Sequence, residues 1–212
     1  TDEISAFGEK IKPKISGIAG ASFSLNRDWL TLRAGYFVAE TTLPIMASQP
    51  LIQGWQQTPF PEVANGINLY EKDSSFAEIG FQFDFESFFF VGEYTELQIK
   101  DSFYPKENSA YVMAGYRFSD KVVHLTFGKD ESKVNRVTDG VPVGLDPTLD
   151  YLKAQTDGLS DSQADESNYI TLGLRWDFHD SASLKFEYSD YKNDLNSDAD
   201  SGLLKMGIVT VF

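Results

Sequence analysis

Alternation with a period of two runs through this chain and limits what it can fold into. In the stretch 168–178, Ile170, Leu172, Leu174, Trp176 and Phe178 fall on one side, and Thr171, Gly173, Arg175 and Asp177 on the other. The stretch 75–85 repeats the pattern, with Ala77, Ile79, Phe81, Phe83 and Phe85 against Glu78, Gly80, Gln82 and Asp84. Side chains of a strand point alternately to its two faces, so this period predicts strands where a 3.6-residue period would predict helices. Nine such stretches can be read, at 15–25, 29–42, 75–85, 88–99, 109–118, 122–130, 168–178, 182–192 and 203–212. The fold class is therefore all-β.

A soluble sandwich also alternates, with its apolar face inward. What fills the polar face separates it from a transmembrane barrel. Here charge is mixed with glycine: Arg33 with Gly35, Arg117 with Gly115, Arg175 with Gly173. Glycine gives a strand no packing and marks close approach. A large membrane barrel has a charged, watery interior and lipid outside. Tyr36, Phe85, Phe88, Tyr116, Phe118, Trp176 and Phe178 recur near strand ends, as a membrane-interface girdle would. The last stretch, 203–212, puts Leu204, Met206, Ile208, Thr210 and Phe212 on one face. Ten residues at roughly 3.3 Å each, tilted by about 45°, cross roughly 23 Å of hydrocarbon. Taken by itself, that stretch also fits the last strand of a soluble sheet.

The connections alternate in length. Residues 26–28, 86–87, 119–121 and 179–181 are tight polar turns, and between them lie long loops at 43–74, 100–108, 131–167 and 193–202. Membrane barrels have short periplasmic turns and long extracellular loops. The pattern predicts an antiparallel meander in a transmembrane β-barrel, with every long loop outside and the whole of 1–212 in one barrel domain or the C-terminal portion of one. Nine strands do not close a single-chain bacterial barrel, which has an even count. Either residues 3–10 supply a tenth strand, or the chain belongs to a larger barrel. Nine strands alone leave two unpaired edges in lipid, so this polypeptide is not expected to close by itself.

Composition excludes several alternatives. The net charge of −14 leaves no basic stripe to neutralise phosphates, so nucleic acid is excluded as a partner. With no cysteine there are no disulfides, zinc–thiolate sites or thiol nucleophiles. The first residues, Thr1 to Ile4, carry no basic or apolar leader, so a signal is expected to have been removed or the chain to start inside a longer protein. The longest uncharged run, 41–61, contains Pro44, Pro50, Pro59 and Pro61 and is no lipid-spanning helix.

Several stretches carry a family resemblance: SLNRDWLTLRAGY at 24–36, VGEYTEL at 91–97, AGYRFS at 114–119, LRWDFHDSASLKFEY at 174–188 and the terminal VTVF. Together they resemble the C-terminal half of gammaproteobacterial outer-membrane porins, a group some of whose members have carried the label of a topoisomerase subunit. The resemblance spans nearly the whole chain. It implies strands 8 to 16 of a barrel of about 16 strands, a size that leaves an aqueous channel. It also implies that Phe212, with Ile208 and Met206 on its face, is the assembly signal read by the barrel-assembly machinery. Thr210 departs from the pattern, since that place usually holds an apolar or aromatic residue. Outer-membrane lipid, lipopolysaccharide and a missing N-terminal barrel half or further copies of the chain are the implied partners, and the bacterial outer membrane the implied location.

No catalytic group stands out. His124 alternates onto the polar face and His179 sits in a tight turn, neither where a lipid-side hydrolase would need it. No metal-ligand spacing, phosphate loop or haem motif is present, and neither enzymatic activity nor a cofactor is expected. The candidate functional groups are pore-lining charges: Arg33, Glu78, Glu93, Arg117, Arg175, Lys185 and Glu187. Opposed charges along a pore sort ions and solutes; the plainer alternative is a solvated or paired wall. Asp146, Asp150, Asp157 and Asp161 in the acidic loop 131–167 are weak candidates for a divalent cation bridging to lipopolysaccharide, although no EF-hand pattern fits. Loop 43–74 holds Met46, Leu51, Ile52, Trp55 and Phe60, and would fold into the lumen as a constriction, cap it, or pack against neighbouring loops. The expected function is a passive channel for ions and small hydrophilic solutes; the alternative is a plugged barrel serving as receptor, adhesin or anchor.

Overall fold

A computed structural model describes residues 3–6 and 8–211 of the chain. Phe212, one of the three residues of the expected assembly signal, lies outside the described residues. The nine predicted stretches form one antiparallel sheet in which every strand pairs with its neighbours in sequence, without a crossover. The strands are β3 (Lys14–Arg27), β4 (Leu30–Thr42), β5 (Lys72–Asp84), β6 (Phe88–Ile99), β7 (Lys106–Phe118), β8 (Lys121–Lys133), β9 (Asp165–His179), β10 (Ala182–Asn193) and β11 (Ser201–Thr210). The sheet is open: β3 and β11 are its two edges.

Residues 3–10 do not supply a tenth strand. They fold into a separate hairpin, β1 (Ile4–Ala6) with β2 (Glu9–Ile11), whose strands pair only with each other. Gly8 turns the chain back at a φ of +76°, and Pro13 offers no N–H with which to carry a ladder on into β3. The hairpin is tied to the loop after β4, where the Ala47 amide donates to Glu9 Oε1 at 3.1 Å. Most strands run further toward the long loops than alternation alone suggested. In β7, for example, Lys106 and Glu107 still pair, with Lys133 and Ser132 of β8. Backbone pairing continues past the point where the apolar face ends.

The two faces are those the alternation predicts, with the exposure of a soluble sheet reversed. Leu172 is 60% exposed and Ile208 66%, alongside Ile79, Leu125, Phe127 and Ile170 on the same outward face. At the short-turn end this face carries a belt of rings. Trp29 stacks on Phe83 and Phe85, Phe88 meets Tyr116, Tyr116 stacks on Phe118, and Trp176 meets Phe178 edge to face. Aromatic pairs of this kind favour offset or tilted contact and suit a boundary that is apolar on one side and wet on the other.

The hydrophobic core lies almost entirely in the long connections. The loop 43–71 contains α1 (Gln49–Gln56) and α2 (Glu62–Ile67), and the loop 134–164 contains α3 (Pro147–Asp161). Asp146 starts α3 as its cap, accepting from the Thr148 amide at 2.6 Å and the Leu149 amide at 3.4 Å, with Pro147 in the first turn. Ile52, Trp55, Val63, Ala64, Ile67, Val141 and Leu152 form one cluster between the two loops. Trp55 is completely buried, and its Nε1 donates to Thr156 Oγ1 at 2.9 Å.

A second cluster, Ile45, Leu69, Ile99 and Phe103, brings in the short loop 100–105. There the Phe103 amide donates to the Gly66 carbonyl at 2.9 Å, and the Asn135 side chain donates to the Ser102 carbonyl. Burial, with Glu107 accepting its hydrogen bond at 2.7 Å, pushes the Tyr104 hydroxyl well above the ordinary tyrosine range. Loop 43–71 therefore packs against neighbouring loops, one of the arrangements expected for it. The three loops form a single cap at one end of the sheet.

The cap's helices pack mainly on one another, with Leu159 of α3 also set against the cluster that holds Ile99 at the end of β6. Replacing a buried Trp by Ala costs about 3–5 kcal/mol. In Trp55→Ala that loss should fall on the cap. Amide exchange and protease cleavage should accelerate within 43–71 and 134–164, while the strand amides keep their protection. Equal loss of protection in β5 to β9 would show that cap and sheet form one cooperative unit.

Candidate functional site

The concave, polar face of the sheet gathers the expected charges, and the register decides which of them meet. Arg117 lies opposite Val122, Val122 opposite Arg175, and Arg175 opposite Lys185, so three cations share one row across β7 to β10. Arg117 is held by Asp84 through two bonds, Nη1 to Oδ1 at 2.7 Å and Nη2 to Oδ2 at 3.0 Å. Its guanidinium also lies 4.6 Å from the centre of the Phe89 ring. A planar fork on a carboxylate, with a ring beneath, fixes an arginine far better than a single contact does. Arg175 donates from Nε to Asp177 Oδ1 at 2.7 Å. Lys185 has no ion pair among the described residues.

The next row runs through Phe89, Gly115, His124, Gly173, Glu187 and Lys205. His124 leans across Gly173, where a Cβ would lie 1.9 Å from its Nε2, and Glu187 Oε1 is 3.8 Å from that nitrogen. Further along the strands, Arg33 donates to Glu93 Oε2 at 3.3 Å. Glu78 stands over Gly35 and makes no hydrogen bond or ion pair among the described residues. The seven expected wall residues thus share the polar face but not one cluster. Arg33 joins Glu93, Arg117 and Arg175 take aspartates, Glu187 joins His124, and Glu78 and Lys185 stand alone.

Sequence reasoning missed Asp84 and Asp177 as partners of the two arginines. Both carry the right parity, but only the ladder register shows which base each one meets. Met206 is 73% exposed and, with Ile208, lies on the outward face. The four loop aspartates are not gathered. Asp146 caps α3, Asp150 accepts from the Gly144 amide at 2.8 Å, Asp157 takes Thr138, Lys153 and Arg136, and Asp161 takes Arg136 at 2.6 Å. Among the described residues, no three acidic or histidine side chains converge as metal ligands.

The short-turn rim has its own polar anchor. Trp176 Nε1 donates to Asp120 Oδ2 at 2.6 Å, and Lys121 Nζ to Asp120 Oδ1 at 2.7 Å. Lys121 lies 5.5 Å from the centre of the Trp176 ring. The bond from Lys121, then that from Trp176, pulls the Asp120 carboxyl from its ordinary 3.8 to about 2.

No family profile matches the sequence, and no curated protein matches it. Solved structures that share its fold include two outer-membrane proteins. The anion-selective porin from Comamonas acidovorans superposes with a TM-score of 0.57 at 14% identity, over 92% of this chain and 49% of that one. OmpT (in-vitro folded), an outer membrane protein of Vibrio cholerae, superposes with a TM-score of 0.52 at 12% identity, over 95% of this chain and 56% of that one. The chain spans about half the length of these solved barrels. At such identities the likeness establishes the fold, a meander of the kind found in outer-membrane barrels.

Two outcomes follow from the geometry of the wall and its rim. Cysteines at Leu172, Phe81 or Ile208 should resist a water-soluble thiol reagent in membranes, and cysteines at Arg175 or Glu78 should react. The opposite register would put charge in hydrocarbon at about 2–4 kcal/mol for each Arg or Lys near the midplane. Strong labelling at Leu172 with none at Arg175 would reverse the assignment of faces. For Asp120, a depressed pKa contributes stability above pH 3.8 that is lost as pH falls through about 2. The Trp176 emission should therefore hold steady from neutral pH to about pH 3 and shift only as the pH nears 2. In Asp120→Asn that acid transition should vanish.

Proposed function

We propose that this chain is part of the wall of an outer-membrane channel, a porin-like barrel through which ions and small hydrophilic solutes diffuse passively. The observation that carries the reading is the sheet's inversion. Its outward face is apolar and exposed, while its concave face holds Arg33–Glu93, Arg117–Asp84, Arg175–Asp177 and the unpaired Lys185 and Glu78. Charged side chains on the polar face of such a sheet make sense where that face is wet. Kinship with gammaproteobacterial porins, closure into about 16 strands, outer-membrane location, insertion by the barrel-assembly machinery and absence of enzymatic activity belong to the same proposal. The open edges β3 and β11 support a need for further strands, from the same chain or from other copies.

A second reading, a barrel whose mouth is shut and which serves as receptor, adhesin or anchor, draws on the cap. Loops from β4–β5 and β8–β9 meet across the intervening strands in a well-packed core. Conductance of the full-length protein in planar bilayers separates the two. Steady open conductance supports the channel, and a silent but correctly folded barrel supports the capped form.

Selectivity follows from the wall and the rims. The acidic loops should concentrate cations at the mouth, but at about 0.15 M salt the Debye length is about 8 Å, and their field fades beyond that. The reversal potential across a salt gradient should show a cation preference that is stronger in dilute than in concentrated salt. Arg117→Gln with Arg175→Gln leaves Asp84 and Asp177 without their bases and should increase the preference. Firm anion selectivity at both ionic strengths would mean that the basic row governs the pore.

A further inference from the structure

One row of the concave face is aromatic rather than charged. Tyr111 of β7 lies opposite Gly128 of β8, Gly128 opposite Tyr169 of β9, and Tyr169 opposite Tyr191 of β10. The Tyr169 ring leans over Gly128, where a Cβ would come within 2.1 Å of its Cζ. The tip of the ring therefore lies against the β8 backbone, and the residue is half-buried. The Tyr191 ring follows at a centroid distance of 5.5 Å, with its plane at 38° to that of Tyr169. Tyr111 flanks the same glycine from the other side. Beyond it the row reaches Glu93, which holds Arg33 at 3.3 Å. Asp130 lies two residues past Gly128 on the same face.

Rings over glycines are also a way to fill a gap in a sheet, and Phe37 over Gly20 and Phe89 over Gly115 do that on this face. Two observations set the tyrosine row apart. Tyr169 and Tyr191 meet ring to ring across β9 and β10, and none of the row's three hydroxyls has a hydrogen-bond partner among the described residues. The hydroxyls of Tyr94 and Tyr104, by contrast, are bonded to Asn108 at 2.9 Å and Glu107 at 2.7 Å. Three half-buried rings with free hydroxyls, bordered by an ion pair and a carboxylate, make an amphipathic strip.

We propose that Tyr111, Tyr169 and Tyr191 form a contact track for sugar rings, and that the solutes this wall favours are neutral oligosaccharides. The proposal rests on the channel reading and names a solute class for it. A pyranose presents C–H groups on its faces, which suit the negative face of an aromatic ring. Its equatorial rim presents hydroxyls, which need charged or planar donors and acceptors beside the ring. Glu93, Arg33 and Asp130 supply these. Glu93 is already balanced by Arg33, which leaves Asp130 as the uncompensated charge at the strip's border.

The test uses the full-length protein. In planar bilayers, maltohexaose and cellohexaose should produce blockades, with polyethylene glycol of matching hydrodynamic size as control. Blockade lifetime for at least one hexasaccharide should exceed that for the glycol. It should fall at least tenfold in Tyr169→Leu with Tyr191→Leu, while sugar-free conductance is kept. Tyr191→Phe should retain most of the effect, since it keeps the ring. Saturation-transfer NMR of the same hexasaccharides with the protein in detergent reads contact without conduction. An absence of conductance with saturation transfer intact would overturn the channel and leave the track standing. Conductance with hexasaccharide blockades no longer than those of the glycol, and no saturation transfer, would overturn the track and leave the channel standing. Saturation transfer undiminished in the double leucine variant would also overturn it.

Discussion

Inside a bilayer, every backbone N–H and C=O must find its partner within the protein, because no water is there to take it. The continuous run of strand pairs from β3 to β11, bulged at 16–19 and at 182–184, meets that demand along most of the strands between the edges, and the rest of the molecule depends on it. With hydrogen bonding settled by the sheet, the side chains are free to sort by environment. The apolar set can stay exposed on the convex side, and the concave side can hold charge without an apolar core to exclude water. The ladder also explains the glycines of the wall. A ring that crosses to the next strand, as His124 does over Gly173 or Tyr169 over Gly128, needs a backbone with nothing above it.

The two ends of the sheet answer different demands. At the short-turn end the links are a few residues long, and their geometry is set by single polar anchors such as Asp120 between Lys121 and Trp176. At the other end the chain leaves the ladder for long excursions, and these must bury apolar surface as any soluble domain does. They succeed only jointly. Trp55 from one loop needs Thr156 and Leu152 from another, and Gly66 sits close against Val137 of that other loop. A loop of this length could not bury Trp55 by itself, which is why the cap binds three connections into one body.

The strands were legible in the sequence because period two survives wherever one face is apolar, as in Ile170 to Phe178. The ends of strands were less so: Lys106 and Glu107 look like loop but continue the ladder. The helices were hidden for a different reason. In α1, QPLIQGWQ is too short for a helical period to declare itself, and α3 is diluted by Asp150, Asp157 and Asp161, so that it reads as acidic loop. Asp146-Pro147 was the available start signal. On the wall, parity alone placed Arg117 and Arg175 correctly but could not pair them. Asp84 and Asp177, and the alignment of Tyr111, Tyr169 and Tyr191, follow from a register that depends on turn geometry at each hairpin.

That register bears on how a wall with this charge could discriminate at all. Much of the net charge of −14 resides in connections: each short turn carries one acid, Asp28, Glu86, Asp120 or Asp180, and the loop after β10 carries Asp194, Asp198 and Asp200 with no base. Within the strands, charges are largely cancelled by near neighbours. A bound pair presents a dipole, whose field dies away faster than that of a single charge, and salt shortens its reach further. In the proposed channel, a solute would meet chiefly the strand charges that make no ion pair among the described residues; besides Asp130 and Lys205 these include Glu78 on β5 and Lys185 on β10. Five strand spacings separate Glu78 from Lys185, roughly 24 Å along the wall at about 4.8 Å each. Glu78 lies about half-way along its strand, whereas Lys185 lies near the short-turn end of its own. The two therefore act at different depths. In the proposed channel, the order in which a solute would meet them, with the tyrosine row between, would count for more than the sum of the wall's charges.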